Sequence, residues 1–443
     1  MTTRTSKDEQ RVGADPEGPR ASSQTFRMPA EWEPHEATWL GWPHERTDWP
    51  GKFAPIPWAF AEIVRHLTRV ERVLLIVEDA AAESAAKKIL RKSGVELHAI
   101  TFLRIPTDRG WMRDSGPIAV FYDGDRQARS QESVILRSVA TKNPSLAPDR
   151  EERFFAPQTG AQNDIAMKTS GTQNGAESTR VLLNFVFNGW AKYSDHKKDA
   201  RVVERAARLL SKSAKADPSP SSAKGAAGFG MTDRVLQPEH RGRRVVLEGG
   251  SIDVNGRGSL LTTEECLLSA VQERNPGFTK ADYEEMFRRY FGVTNVLWLR
   301  NGIAGDDTHG HVDDLARFVD PATVVTVVED DPAEQNYEAL QENLALLRGM
   351  RDQDGRELRV ETLPMPRPVS FDGQRLPASY ANFYIANKIV LVPTFNDPAD
   401  RVALDTLAAL FPGREIVPIY CRDLVLGLGT IHCMTQQLPR AAV

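Results

Sequence analysis

Cysteine is scarce in this chain: 443 residues include only Cys266, Cys421 and Cys433. So few thiols, so far apart, exclude a disulfide framework and fit a reducing compartment. An excess of positive charge is missing too. The formal net charge is -4, which removes the basic field that a nucleic-acid partner would call for. No apolar run approaches the roughly 20 residues that span a bilayer, so no membrane partner is expected. The opening MTTRTSKDEQRVGADPEGPR has no apolar segment of the kind a secretory signal carries. Residues 1–25 are expected to be a disordered, solvated tail, and cytoplasmic residence is the default.

What the chain does contain is an alternation. Ile56, Phe60, Ile63, Val64 and Leu67 fall on one face of a helix. VLLIVE follows as a buried strand, then AAAESAAKKIL as a second helix. The pattern continues through strands such as IAVFY, SLLTT, TVVTVVE and EIVPIY and helices such as TKADYEEMFRRYF and ADRVALDTLAALF. Alternating elements argue an α/β fold. Two polar stretches break the rhythm, about 123–178 and about 211–242. Both are expected to be flexible insertions in one catalytic domain over 26–440.

The chemistry is concentrated in four motifs. GLGTIHC places Cys433 behind Gly427 and Gly429, which permit close approach of backbone to a ligand. An unperturbed thiol titrates near 8.5, and a bound cation beside it favours the reactive thiolate. Cys266 and Cys421 follow strands without glycine turns and are assigned to packing. DDTHGHVDD offers His311 as an acid and base near neutral pH, with Asp313 on the same face of an extended segment. In GWMRDSGP, Asp114 is suited to accept two parallel N–H bonds from a guanidinium, with Trp111 against the flat cation. A plain Arg113–Asp114 ion pair is the bland alternative. Glu248 ends the apolar RRVVLE, where a carboxylate is costly unless paired with His311 or with substrate. His309, His311 and Asp313 also spell H-x-H-x-D, part of a zinc-hydrolase signature. Asp314 then stands where that signature wants histidine, and no second ligand set is evident.

WMRDSGP, LEGGSIDV, DDTHGHVDD and IHCMTQQLP, in this order and after RMPAEWEPHEATWLGWP, resemble the agmatine deiminase family of the guanidine-modifying (pentein) superfamily. The resemblance covers about residues 26–440 apart from the insertions. It implies a five-bladed α/β propeller. It also implies Cys433 as nucleophile, His311 as general acid and base, Asp114 and Asp313 holding the guanidinium, Glu248 supporting His311 or the substrate, and Trp111 lining the pocket. The implied reaction turns agmatine and water into N-carbamoylputrescine and ammonia, with no metal or organic cofactor. The partner is a small cationic guanidino substrate, and a homo-oligomer is left open. GLGTIHC carries two glycines where the family's pattern favours three, which touches the rim and hence the substrate's tail. Peptidyl-arginine or another guanidine, amidino transfer to an amine, and a non-catalytic propeller that only binds are the remaining readings.

Overall fold

The computed structural model describes residues 25–123, 179–216 and 234–441. The expected tail and first insertion fall outside these residues, apart from Thr25 and Asp123. Of the second, only 217–233 falls outside. Its ends belong to regular elements: a helix over Val202–Ala216, and strands over Arg234–Leu236 and Glu239–His240.

Five sheets of three or four strands repeat one plan among the described residues. A first strand pairs antiparallel with a second, and a helix then returns the chain to a third strand parallel to the second. In one sheet these are Asp253–Val254, Ser259–Thr263 and Asn295–Leu299, with helix Lys280–Phe291 as the return. The next uses Ala316–Asp320, Thr323–Val328 and Arg359–Pro364, returned by Tyr337–Gly349. Another uses Tyr384–Ile385, Ile389–Thr394 and Glu415–Tyr420, returned by Ala399–Leu410. A fourth pairs Ile118–Asp123, Thr179–Leu183 and Arg234–Leu236, with Thr25–Arg27 added at its edge. The fifth joins the two ends of the described chain. Thr435–Pro439 pairs antiparallel with His35–Gly41, followed by parallel strands Arg72–Val77 and Ile100–Arg104.

The middle strands of the sheets, such as Arg72–Val77, Thr323–Val328 and Ile389–Thr394, are buried and rich in Val, Ile and Leu, as parallel strands covered by helices must be. The helices bury one face. Ile56, Phe60, Ile63, Val64 and Leu67, the face expected from spacing, are buried in Ile56–Leu67 together with Ala61. Caps set the helix ends. Thr279 and Asp282 form a capping box at Lys280–Phe291, and Gly292 closes that helix in the left-handed region at φ 70°. VVLEGGSIDV is apolar enough for a strand but does not form one continuous strand. Val246 makes one bridge with Val186, Gly249–Ser251 is a single helical turn, and only Asp253–Val254 pairs. The turn frees the Glu248 side chain from a ladder.

Candidate active site

The repeated plan builds the site. Immediately before its first strand, each unit makes a short turn, and the chemistry-bearing residues sit there. They are Asp114 in Met112–Ser115, Glu248 before Gly249–Ser251, and His311 and Asp313 at Val312–Asp314. Asn382 stands two residues before Tyr384–Ile385, and Cys433 lies in Ile431–Met434. All six are buried. The structure therefore brings the five expected residues together from four of five equivalent positions spread over some 320 residues of chain, and Asn382, which the sequence did not single out, comes from the fifth.

Cys433 Sγ lies 3.1 Å from Asn382 Nδ2 and 3.7 Å from Asp313 Oδ2. Asn382 Oδ1 accepts from His432 N–H (3.0 Å) and Thr430 Oγ1 (2.7 Å), which fixes the turn that carries the thiol. Gly429 is small because a Cβ there would lie 2.9 Å from Cys433 Cβ and 3.0 Å from the Trp111 ring. The residue between the two glycines, Leu428, takes the left-handed region at φ 67°, the backbone that glycine adopts without strain. Burial pushes the Cys433 thiol well up, and the carboxylates of Asp313, Asp314 and Asp114 push it further. Without a cation in the pocket the thiol keeps its proton.

His311 faces two carboxylates: Nδ1 is 3.9 Å from Asp114 Oδ1 and Nε2 is 3.9 Å from Glu248 Oε2. Burial alone would lower its pKa, but Asp114, Cys266 and Glu248 hold it well above the usual histidine range. Gly250 closes in on this ring, since a Cβ there would sit 2.4 Å from His311 Nδ1. Asp114 Oδ1 accepts from Gly250 N–H (3.1 Å) and Oδ2 from Trp190 Nε1–H (2.9 Å). Desolvation pushes Asp114 up to about 6; His311 opposes the shift, and Asp313 and Glu248 add to it. Glu248 goes the other way. Burial raises it, but the Arg274 guanidinium, with Nε 3.2 Å from Oε1, and His311 bring it to about 2. Asp313 Oδ1, Glu248 Oε2 and both His311 nitrogens are buried and make no hydrogen bond among the described residues. Such groups are costly to leave unpaired, and a guanidinium with five N–H donors suits the two carboxylate oxygens among them.

Above them opens a cavity of about 540 Å³, with Cys433, Asp114, Trp111 and Trp190 in its lining. Trp111 is held by its indole N–H, which donates to Asp48 Oδ2 (3.1 Å). Asp48, Asp307 and Asp372 also line the cavity, against one guanidinium, Arg109. That guanidinium is occupied. It pairs with Asp48 and Asp195 and lies 4.4 Å from the centroid of the Tyr193 ring.

Sequence reading missed several of these partners. Glu248 pairs first with Arg274, from a loop with no motif. Arg113 does not pair with Asp114; it turns away to Glu31 (3.1 Å) and Gln437 (2.8 Å). Cys266, assigned to packing, lies with Glu248 and His311 in a group whose ligand-type atoms are all within 4.8 Å of one another. Cys421 is a buried thiol whose pKa is pushed up by desolvation, as packing would have it. The H-x-H-x-D set does not converge. His309 turns its Nε2 to Ser269 Oγ (2.9 Å), and the two clusters with metal-binding capacity among the described residues leave it out.

A family model described as Porphyromonas-type peptidyl-arginine deiminase matches residues 27–439. The chain belongs to that deiminase family. An agmatine deiminase of Pseudomonas aeruginosa (strain LESB58) is 31% identical over 448 aligned positions, covering 95% of this chain and 97% of its own. A putative agmatine deiminase of Yersinia pseudotuberculosis serotype O:1b is 29% identical, with 94% and 96% covered. Among solved structures, the agmatine deiminase of Enterococcus faecalis superposes with a TM-score of 0.70 at 26% identity, covering 94% of this chain and 96% of that one. A putative arginine deiminase from Porphyromonas gingivalis gives 0.69 at 30%, with 94% and 98% covered. The deiminase-family fold is thus α/β and pentein-like, and the chain is an enzyme that hydrolyses a guanidino group. Among the described residues no helix is long and apolar enough to cross a membrane.

Proposed function

We propose that this chain converts agmatine and water into N-carbamoylputrescine and ammonia through a covalent amidino-cysteine on Cys433. The catalytic domain would span residues 26–440 as a five-bladed α/β propeller, one blade for each repeated sheet. The observation that carries the choice of substrate is the sign of charge along the cavity. Asp313 stands beside Cys433, and Asp114, Asp48, Asp307 and Asp372 line the cavity. Asp48 and Asp307 are paired with Arg109 and Lys192, whereas Asp372 makes no ion pair among the described residues. Agmatine, cationic at both ends, suits a cavity with Asp114 and Asp313 near the thiol and Asp372 left for the second cation. The α-carboxylate of free arginine would meet the same rim and find Arg109 already paired.

In this reading the guanidinium lies between Asp114 and Asp313 with Trp111 beside it. Its arrival offsets the carboxylates that hold the Cys433 thiol up, so the thiol gives its proton to water of the cavity and stands as thiolate. The sulfur attacks the guanidinium carbon and a C–S bond forms. His311, kept protonated by Asp114 and Glu248, gives its proton to the departing nitrogen, and ammonia leaves. Neutral His311 then takes a proton from water as its oxygen bonds to the amidino carbon. The C–S bond breaks, the sulfur leaves as thiolate, the remaining hydroxyl proton passes to solvent, and the ureido product forms.

The test is ammonia and ureido product from purified protein given agmatine, free arginine or an internal-arginine peptide. Turnover of agmatine well above the other two supports the proposal. Preference for the peptide keeps the deimination and overturns the substrate.

A further inference from the structure

A line of buried charge runs behind the nucleophile to a residue that no motif singled out. Glu31, His432 and Asp313 are each at most 3% exposed. His432 Nδ1 lies 2.6 Å from Asp313 Oδ2, and its Nε2 lies 2.9 Å from Glu31 Oε2. Each ring nitrogen thus faces a carboxylate oxygen, which when ionised can only accept.

Both carboxylates are held ionised. Burial opposes this at Glu31, but Arg317, His432 and Arg113 bring it well below the usual range. Burial opposes it at Asp313 also, and the His432 hydrogen bond and charge bring it down. The ring is therefore clamped between two carboxylates, one at each nitrogen. Glu31 is itself fixed by Ile385 N–H (2.8 Å), Arg113 (3.1 Å) and Arg317 (3.0 Å). Arg317 also pairs with Asp253 at 3.2 Å. Glu31, Asp313 and Asp253 thus face His432, Arg113 and Arg317 in one buried network. Its open end is Asp313 Oδ1, buried and without a hydrogen bond among the described residues.

We infer that Glu31 and His432 are positioning residues for substrate binding: Glu31 orients the His432 ring, and His432 locks Asp313 through Oδ2, leaving Oδ1 for the incoming guanidinium. This rests on the assignment of Asp313 to the substrate made above. A scaffold role alone would use the same contacts to stabilise the fold and leave the affinity of folded enzyme unchanged. The positioning role reaches the substrate, because an Asp313 freed to rotate loses its grip on the cation in ground and transition state alike. That loss falls on KM more than on kcat.

The test is steady-state kinetics of Glu31→Gln and Glu31→Asp against wild type with agmatine, together with calorimetric agmatine binding to Cys433→Ala with and without Glu31→Gln. Gln keeps the shape and removes the charge. The expected result is a KM and a Kd raised roughly 10- to 100-fold, the range of a lost charge-assisted hydrogen bond, with kcat changed far less. Glu31→Asp, which restores the charge at shorter reach, should recover part of the affinity. Should Glu31→Gln not fold, His432→Gln, which breaks the same chain of contacts at its middle, is read by the same KM and Kd and should lose affinity likewise. Unchanged KM and Kd in folded Glu31→Gln or His432→Gln would overturn the inference. Failure of wild type to turn over agmatine would count against the proposed function instead.

Discussion

Asp114→Asn should make the protein more stable while disabling it. Asp114 is buried, and desolvation, with Asp313 and Glu248, lifts its pKa from the ordinary 3.8 to about 6. A carboxyl with a raised folded-state pKa costs stability wherever it is ionised. The cost is absent below the unfolded value and complete above the folded one. Two units at about 1.4 kcal/mol each give roughly 3 kcal/mol at pH 8. Asparagine removes that cost but gives up one acceptor, either for Trp190 Nε1–H or for Gly250 N–H, worth about 1–2 kcal/mol. The net gain is about 1–2 kcal/mol at pH 8, or roughly 1–2 °C for a chain of this length. At pH 4.5 the relieved cost shrinks to about 1 kcal/mol, so the variant should match or fall below wild type. Activity should drop by ~10²-fold or more through loss of the buried charge partner of the guanidinium. Calorimetric melting at both pH values, with kcat/KM on agmatine, tests this. A variant equally destabilised at pH 8 and pH 4.5 would refute the reasoning, because Asp114 would then be a favourable ion in the empty enzyme.

Other consequences concern the site's close contacts and its titration. Gly250→Ala puts a Cβ within 2.4 Å of His311 Nδ1, so kcat should fall by ~10²-fold with the melting temperature little changed; wild-type kcat would dissolve the contact. Leu428→Gly removes a side chain from the left-handed region at φ 67° and from the cavity rim. It should raise the activity on guanidines with bulkier tails relative to agmatine, as measured by the ratio of kcat/KM values, and an unchanged ratio would show that Leu428 does not read the tail. In wild type, kcat/KM should fall as pH drops through about 6, where Asp114 takes up its proton; a flat profile there would release Asp114 from substrate binding.

The sequence made the local elements legible because their signals are local. Ile56–Leu67 and Arg72–Val77 follow from periodicity and run length. Cys433, His311, Asp114, Asp313 and Glu248 were legible for a related reason, since each sits in a glycine-bearing turn whose composition stands out. The partners that tune them were not. Glu31 lies some 400 residues from His432 and meets it because Thr435–Pro439 pairs with His35–Gly41. No periodicity encodes that closure. Arg274 and Asn382 sit in ordinary loop sequence, and their importance comes only from the carboxylate and the thiol they face. Cys266 looked like filler because the capped helix Glu264–Leu268 that aims it is only five residues long.

The central claim is a covalent amidino group on Cys433. Acid quenching of enzyme during agmatine turnover, followed by peptide mass spectrometry, tests it directly. A mass gain of agmatine less ammonia is expected on the peptide that holds Cys433, absent from Cys433→Ala. An unmodified Cys433 peptide under demonstrated steady-state turnover, or a Cys433→Ala enzyme that still releases ammonia, would contradict it.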